Sequence, residues 1–109
     1  MSASPFVFRS TRVNTSVATQ VGTSVAGYAY VCARLFQGGT VGVTLSIHDS
    51  LTVTSAATKV AELGVRKDGA ATGGTDELSV PVRVQSGVRV KVTPVSGAIG
   101  TTAAYIFVA

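Results

Sequence analysis

The stretch Val80-Pro81-Val82-Arg83-Val84-Gln85-Ser86-Gly87-Val88-Arg89-Val90-Lys91-Val92-Thr93 decides the fold class. Val80, Val82 and Val84 alternate with Pro81, Arg83 and Gln85, and Val88, Val90 and Val92 alternate with Arg89, Lys91 and Thr93. A period of two puts every valine on one face of an extended chain, which is the signature of a half-buried strand. Between the arms, Gln85-Ser86-Gly87 is a three-residue turn. Read as a hairpin, it sets Val84 opposite Val88 and Val82 opposite Val90, with Arg83 opposite Arg89 and Pro81 opposite Lys91 on the outer face. Like charges directly across a strand pair repel, so this register calls for a nearby acid such as Glu62, Asp76, Glu77 or a partner's surface. Pro81 has no N–H for a ladder, so its arm is an edge or is interrupted there.

Working outward, a second hairpin is predicted from Tyr28–Phe36 and Val41–His48 around Gly38-Gly39-Thr40. It pairs Leu35, Ala33 and Val31 with Val43, Leu45 and Ile47 as a core face. The other face then carries Tyr28, Tyr30, Cys32, Arg34 and Phe36 above His48, Ser46, Thr44 and Gly42. Further strands are predicted over 6–9, 14–21, 60–66 and 101–108, with turns at Asp49-Ser50 and Lys67-Asp68-Gly69 and a surface loop over 70–75. About eight short strands with regular turns predict an all-β, single-domain, two-sheet sandwich, jelly-roll-like. Residues 1–10 read as an N-terminal arm and 11–109 as the sandwich domain.

Composition agrees. The 109 residues give room for one core, and a set in which 46% are hydrophobic and 13% charged lacks the run of about 20 apolar residues that a membrane helix needs. The start, Met1-Ser2-Ala3-Ser4-Pro5, has no basic segment leading into an apolar one, so it reads as the start of the mature, soluble chain. One cysteine, Cys32, and one histidine, His48, supply neither a disulfide nor a zinc site. The expectation is no metal and no cofactor. The net charge of +4 is spread over Arg9, Arg12, Arg34, Lys59, Arg66, Lys67, Arg83, Arg89 and Lys91 without a run, which does not argue for nucleic acid.

Three residues invite a catalytic reading. His48, Asp49 and Ser50 have the composition of a triad, but neighbours on a strand point to opposite faces and do not converge. The expectation is instead that Asp49 and Ser50 close a turn through side-chain to backbone hydrogen bonds, with His48 on an outer or interface face. Asp76-Glu77 lacks the rigid cleft of a glycosidase pair, and Gly38-Gly39 and Gly73-Gly74 lack the lysine and helix of a phosphate loop. Cys32 is expected half-buried and inert. No catalytic residue is assigned, and the chain is expected not to be an enzyme.

From Val25 to Phe107 the chain resembles the small β-sandwich virion proteins of tailed bacteriophages. The likeness lies in an apolar strand, then one ending Ile47-His48-Asp49-Ser50, then Ala61-Glu62-Leu63, the valine arm, Ser86-Gly87-Val88-Arg89-Val90 and a closing strand bearing Tyr105. The resemblance implies a non-enzymatic capsid decoration (cement) protein, or a tail or neck component. It further implies a homo-oligomer, most often a trimer, bound to the major capsid protein on the virion surface and made in the bacterial cytoplasm. Phe6 and Phe8 would anchor an arm reaching a neighbour. Tyr28, Tyr30 and Phe36 would be buried between subunits, and Arg83, Arg89 and Lys91 would meet acidic capsid surface. A carbohydrate-binding module using exposed tyrosines is the alternative from a different class.

Overall fold

The structure, a computed structural model, describes residues 9–13, 17–23, 29–38, 42–65, 74–94 and 102–108. Nine strands are present among them: β1 (Arg9–Val13), β2 (Thr19–Thr23), β3 (Ala29–Gln37), β4 (Val43–Asp49), β5 (Lys59–Val65), β6 (Gly74–Glu77), β7 (Val82–Val84), β8 (Gly87–Pro94) and β9 (Thr102–Val108). A single 3-10 turn, Ala56–Thr58, precedes β5. Arg9 and Ser10, predicted to lie in the arm, are the first residues of β1 and pair with Val108 and Phe107. Gly74 and Thr75, predicted as loop, open β6; the rest of that loop lies outside the described residues, as do Phe6, Phe8 and Tyr28.

All strand pairing among the described residues is antiparallel. A front sheet runs β1-β9-β3, with β6 and β7 sharing the far edge of β3, and a back sheet runs β2-β8-β4-β5. Of the successive connections, only β4 to β5 and β6 to β7 stay within a sheet; every other one crosses between sheets. With β6 and β7 counted as one interrupted strand, this is the eight-stranded jelly roll. The predicted fold class is therefore what the chain adopts.

Both predicted hairpins are corrected. β7 pairs with β3 in the front sheet, whereas β8 pairs with β2 and β4 in the back sheet. The valines still point inward, but they meet across the sandwich. Val84, Val88, Val90 and Val92 are all essentially inaccessible, each contributing about 1.5–3 kcal/mol by leaving water. Likewise β3 belongs to the front sheet and β4 to the back. Val31, Ala33 and Leu35 therefore pack opposite Val43, Leu45 and Ile47 through one shared core, not as ladder partners. Alternation specifies which side chains go inward; it is identical for a hairpin and for a crossover.

Separating β7 from β8 removes the predicted clash of Arg83 with Arg89. Arg83 lies in register with Tyr30 on the front sheet, and Arg89 with His48 on the back. Pro81 fits both of the alternatives predicted for it. Four residues, 78–81, stand opposite Cys32 and Ala33 between the last β6 pair, Glu77 with Arg34, and the first β7 pair, Val82 with Val31. The Leu78 N–H still donates to Ala33 O at 3.0 Å, after which the strand bulges away through Pro81. An interrupted, proline-bearing edge is a poor template for further strand addition.

Two carboxylates tie the sheets together. Asp49, at the end of β4, accepts the backbone N–H groups of Gln85 (3.1 and 3.0 Å), Ser86 (2.7 Å) and Gly87 (3.3 Å), the turn at which the chain leaves one sheet for the other. Asp76 of β6 accepts the Gly64 N–H of β5 at 3.0 Å, closing another edge. For Asp49, burial pushes the carboxyl pKa up, but the hydrogen bonds from Ser86, Gln85 and Gly87 outweigh it and hold the group below the ordinary value of 3.8. A depressed folded-state pKa contributes stability above 3.8 that is lost as the pH falls toward the folded value. Asp49→Ala is expected to cost about 1–3 kcal/mol, and Asp49→Asn less, because its carbonyl still accepts. Urea unfolding at pH 7 measures both; an Asp49→Ala midpoint equal to wild type would contradict this role.

Candidate functional site

The two outer faces of the sandwich differ in chemistry. On the front sheet, β9 turns Tyr105 and Phe107 outward, β3 turns Tyr30, Cys32, Arg34 and Phe36 outward, β1 adds Arg12 and β7 adds Arg83. Register places Cys32 beside Phe107, Arg34 beside Tyr105, and Tyr30 beside Arg83. Phe36 is 43% exposed, while Tyr30, Tyr105 and Phe107 are half-buried. The Arg12 guanidinium lies 6.0 Å from the Tyr105 ring centre, a cation–π contact of about 0.5–1 kcal/mol at an exposed position. Arg34 approaches Glu77 at 3.8 Å with both side chains more than half exposed, a pairing worth at most about 1 kcal/mol. Arg34, Phe36, Thr75 and Tyr105 border a shallow hollow of about 370 Å³. Cys32 is half-buried as predicted, its thiol near Leu78 O at 3.8 Å.

On the back sheet the outward residues are mostly polar, Thr44, Ser46 and His48 of β4, Arg89, Lys91 and Thr93 of β8, and Glu62 of β5, with the exposed Val60 of β5 beside them. Lys59 donates to Glu62 at 3.2 Å, and Arg89 donates to Leu51 O at 3.2 Å. The three basic residues predicted to meet one acidic surface therefore divide, with Arg83 on the front and Arg89 and Lys91 on the back. Of the predicted interface residues described, the structure brings Tyr30, Phe36 and Arg83 onto one face. The sequence reading put Arg34 on that face with Tyr30 and Phe36 but left out Arg12, Tyr105 and Phe107. The alternation of Ala103, Tyr105 and Phe107 along β9 was the available signal for the last two.

His48, Asp49 and Ser50 diverge. Ser50 Oγ accepts the N–H groups of Thr52 (3.1 Å) and Val53 (3.0 Å), Asp49 holds the crossover turn, and His48 turns to the back-sheet outer face. Asp49 and Ser50 thus use their side chains on backbone turns, as predicted. His48 is not an exposed surface residue: only 3% of it is accessible, because residues 50–58 fold over it. Its Nδ1 lies 3.1 Å from Thr58 Oγ1. Thr58 Oγ1 also lies 3.1 Å from Ser55 O, and its single hydroxyl proton serves either that carbonyl or the imidazole, so the contact fits either ring tautomer. Nε2 is buried and has no hydrogen-bond partner among the described residues, a position that costs about 1–3 kcal/mol when nothing fills it.

Burial lowers the His48 pKa below 6.5, the nearby Lys59 adds to the effect, and the Ser55 carbonyl opposes it. A histidine held neutral by the fold must be protonated on unfolding in acid. Stability is therefore complete above pH 6.5 and declines as the pH falls from 6.5 toward the lowered value. Because His48 is the chain's one histidine, a proton NMR titration of the imidazole reads it without overlap. The expected midpoint lies below 6.5; a midpoint at or above 6.5 would contradict the buried, neutral assignment.

Among the described residues no group of three or more metal-ligating side chains comes together, and no helix is long and apolar enough to cross a membrane. Comparison with protein-family models, with curated proteins and with solved structures finds no match. The function must be read from the two faces themselves.

Proposed function

We propose that this chain is a non-enzymatic virion structural protein of a tailed phage, a capsid decoration subunit that assembles as a trimer through the outer face of its front sheet. The observation that carries the assembly reading is the contrast between the two faces. The front carries Tyr30, Phe36, Tyr105 and Phe107 with Arg12, Arg34, Arg83 and the Arg34-paired Glu77, and among the described residues its outward cations are all arginines. Aromatics and arginine are the residue types enriched where proteins bury surface against one another, whereas lysine, glutamate and serine are depleted there. The back face carries Lys59, Lys91, Glu62 and Ser46, with Arg89 its one arginine among the described residues. Arginine–aromatic packing also keeps the face wettable in a free subunit.

The step from assembly to virion rests on two supports. One is the jelly-roll strand order, an architecture used by capsid subunits and also by lectins. The other is the resemblance in strand and turn placement described above. A fold hosts many functions, so the distinguishing measurement is made on particles. A decoration protein saturates shells lacking it at hundreds of copies; a tail or neck component, the nearest rival, is present at a few to a few dozen.

A second reading has one specific observation in its favour. The hollow lined by Arg34, Phe36, Thr75 and Tyr105 offers two aromatic rings and polar side chains to a sugar, as a lectin-like module would. That reading expects retention on a glycan array that Phe36→Ala or Tyr105→Ala abolishes, with a monomeric chain.

Light scattering on the purified chain tests the assembly reading. The expected mass is three times that of the chain. Phe36→Glu, a change at an exposed position that leaves the core intact, is expected to return the monomer with an unchanged circular dichroism spectrum. A wild-type monomer that also ignores shells would overturn the proposal.

A further inference from the structure

The back face holds a polar hollow of about 290 Å³, just below the roughly 300–1,000 Å³ typical of small-molecule sites. His48 lines it from near the end of the interior strand β4, and its Nε2 is buried without a hydrogen-bond partner among the described residues. A β-bulge shapes this end. Ile47 pairs with Ala61 but His48 pairs with Lys59, so Val60 is the extra residue and Lys59 is swung into line with the histidine. Bulges commonly re-aim a side chain beside a site in this way.

We infer that this hollow is a binding site for a sugar acid, a small polyhydroxylated carboxylate. Its chemistry has two parts. Nε2 is buried without a partner among the described residues, and a ligand hydroxyl, which both donates and accepts, satisfies it in either ring tautomer. The hydroxyls of Thr44 and Ser46 donate toward Thr93 O (3.5 Å) and Lys91 O (3.4 Å) on the neighbouring strand, which leaves their oxygens as acceptors. A ligand satisfying these three atoms presents several hydroxyl groups. The second part is cationic: Lys91 stands on the same face in register with Ser46, and Lys59, bridged to Glu62, closes the side of the hollow. Two ammonium groups against one carboxylate leave a net positive site that takes an anion.

An acidic peptide could supply similar groups, but the site does not suit one. β4 and β8 are interior strands whose backbone groups are already paired on both sides, so an extended peptide finds no ladder to join. The wall is hydroxyl-rich, and among the described residues that line it Ala56 is the one apolar residue. A compact polyol fits this surface better than a peptide anchor. The inference stands on the back face alone and does not depend on assembly through the front.

The test follows the one imidazole signal at pH 7.5, where His48 is neutral, while glucuronate, glucose, acetate and an acidic pentapeptide are each titrated into the full chain. The expected result is a saturable shift of the His48 ring signals and of the Thr44, Ser46 and Lys91 amides with glucuronate. Glucose is expected to bind about tenfold more weakly or worse, and acetate to leave the ring signals unmoved, since one charge-assisted contact is worth about a factor of ten or more. Lys91→Ala, at an exposed position, is expected to weaken glucuronate about tenfold while the histidine signal in the free protein stays in place; Lys91→Arg retains most of the affinity. No saturable response to glucuronate would overturn the inference. So would an equal response to acetate, which would mark a simple anion site, or tighter binding of the peptide.

Discussion

The Asp49 carboxylate, gathering three successive backbone N–H groups at Gln85, Ser86 and Gly87, is the constraint on which the remaining architecture turns. A hairpin turn spends its amides on the facing strand. Here they are spent on a side chain from a third strand, so the turn opens and the valine arms part to opposite sheets. Everything specific to the two surfaces follows from that parting. Arg83 goes to an aromatic face and Arg89 and Lys91 to a hydroxylated one, and the interrupted β6–β7 edge takes Pro81 where no ladder hydrogen bond is required.

The inward side chains need no such device. Val31, Leu35, Val43, Leu45, Ile47, Val84, Val88, Val90, Val92 and Ile106 are all fully buried, and a period of two in four segments of sequence identifies almost all of them. The all-β class, the two-sheet architecture and the core were legible because they depend on local alternation and on the shortage of helix formers. Pairing was not legible, because inward alternation is the same for strands side by side and for strands face to face. What distinguishes the two cases is a long-range contact, Asp49 to the turn 36 to 38 residues later, and a single sequence gives no weight to that separation.

The candidate surfaces were legible to the same degree and for the same reason. Tyr30 and Phe36 were placed together by alternation along β3. Tyr105 and Phe107 join them only because β9 inserts between β1 and β3, a fact of topology. His48 was expected outward, and its direction is as expected; its burial comes from residues 50–58 folding back, which turn chemistry at Asp49-Ser50 announces without specifying the path. The bulge at Val60, which brings Lys59 to the histidine, has no sequence mark.

We propose two tasks for one small sandwich, with the front face meeting other copies and the back face open to a small ligand. Hydroxyl-radical footprinting of the chain, compared between dilute and assembled samples, tests that division most directly. The account expects protection on assembly at Phe36, Tyr30, Tyr105 and Phe107, with Lys91 and its back-face neighbours unchanged. Protection on the back face with the front-sheet aromatics still reactive would contradict it.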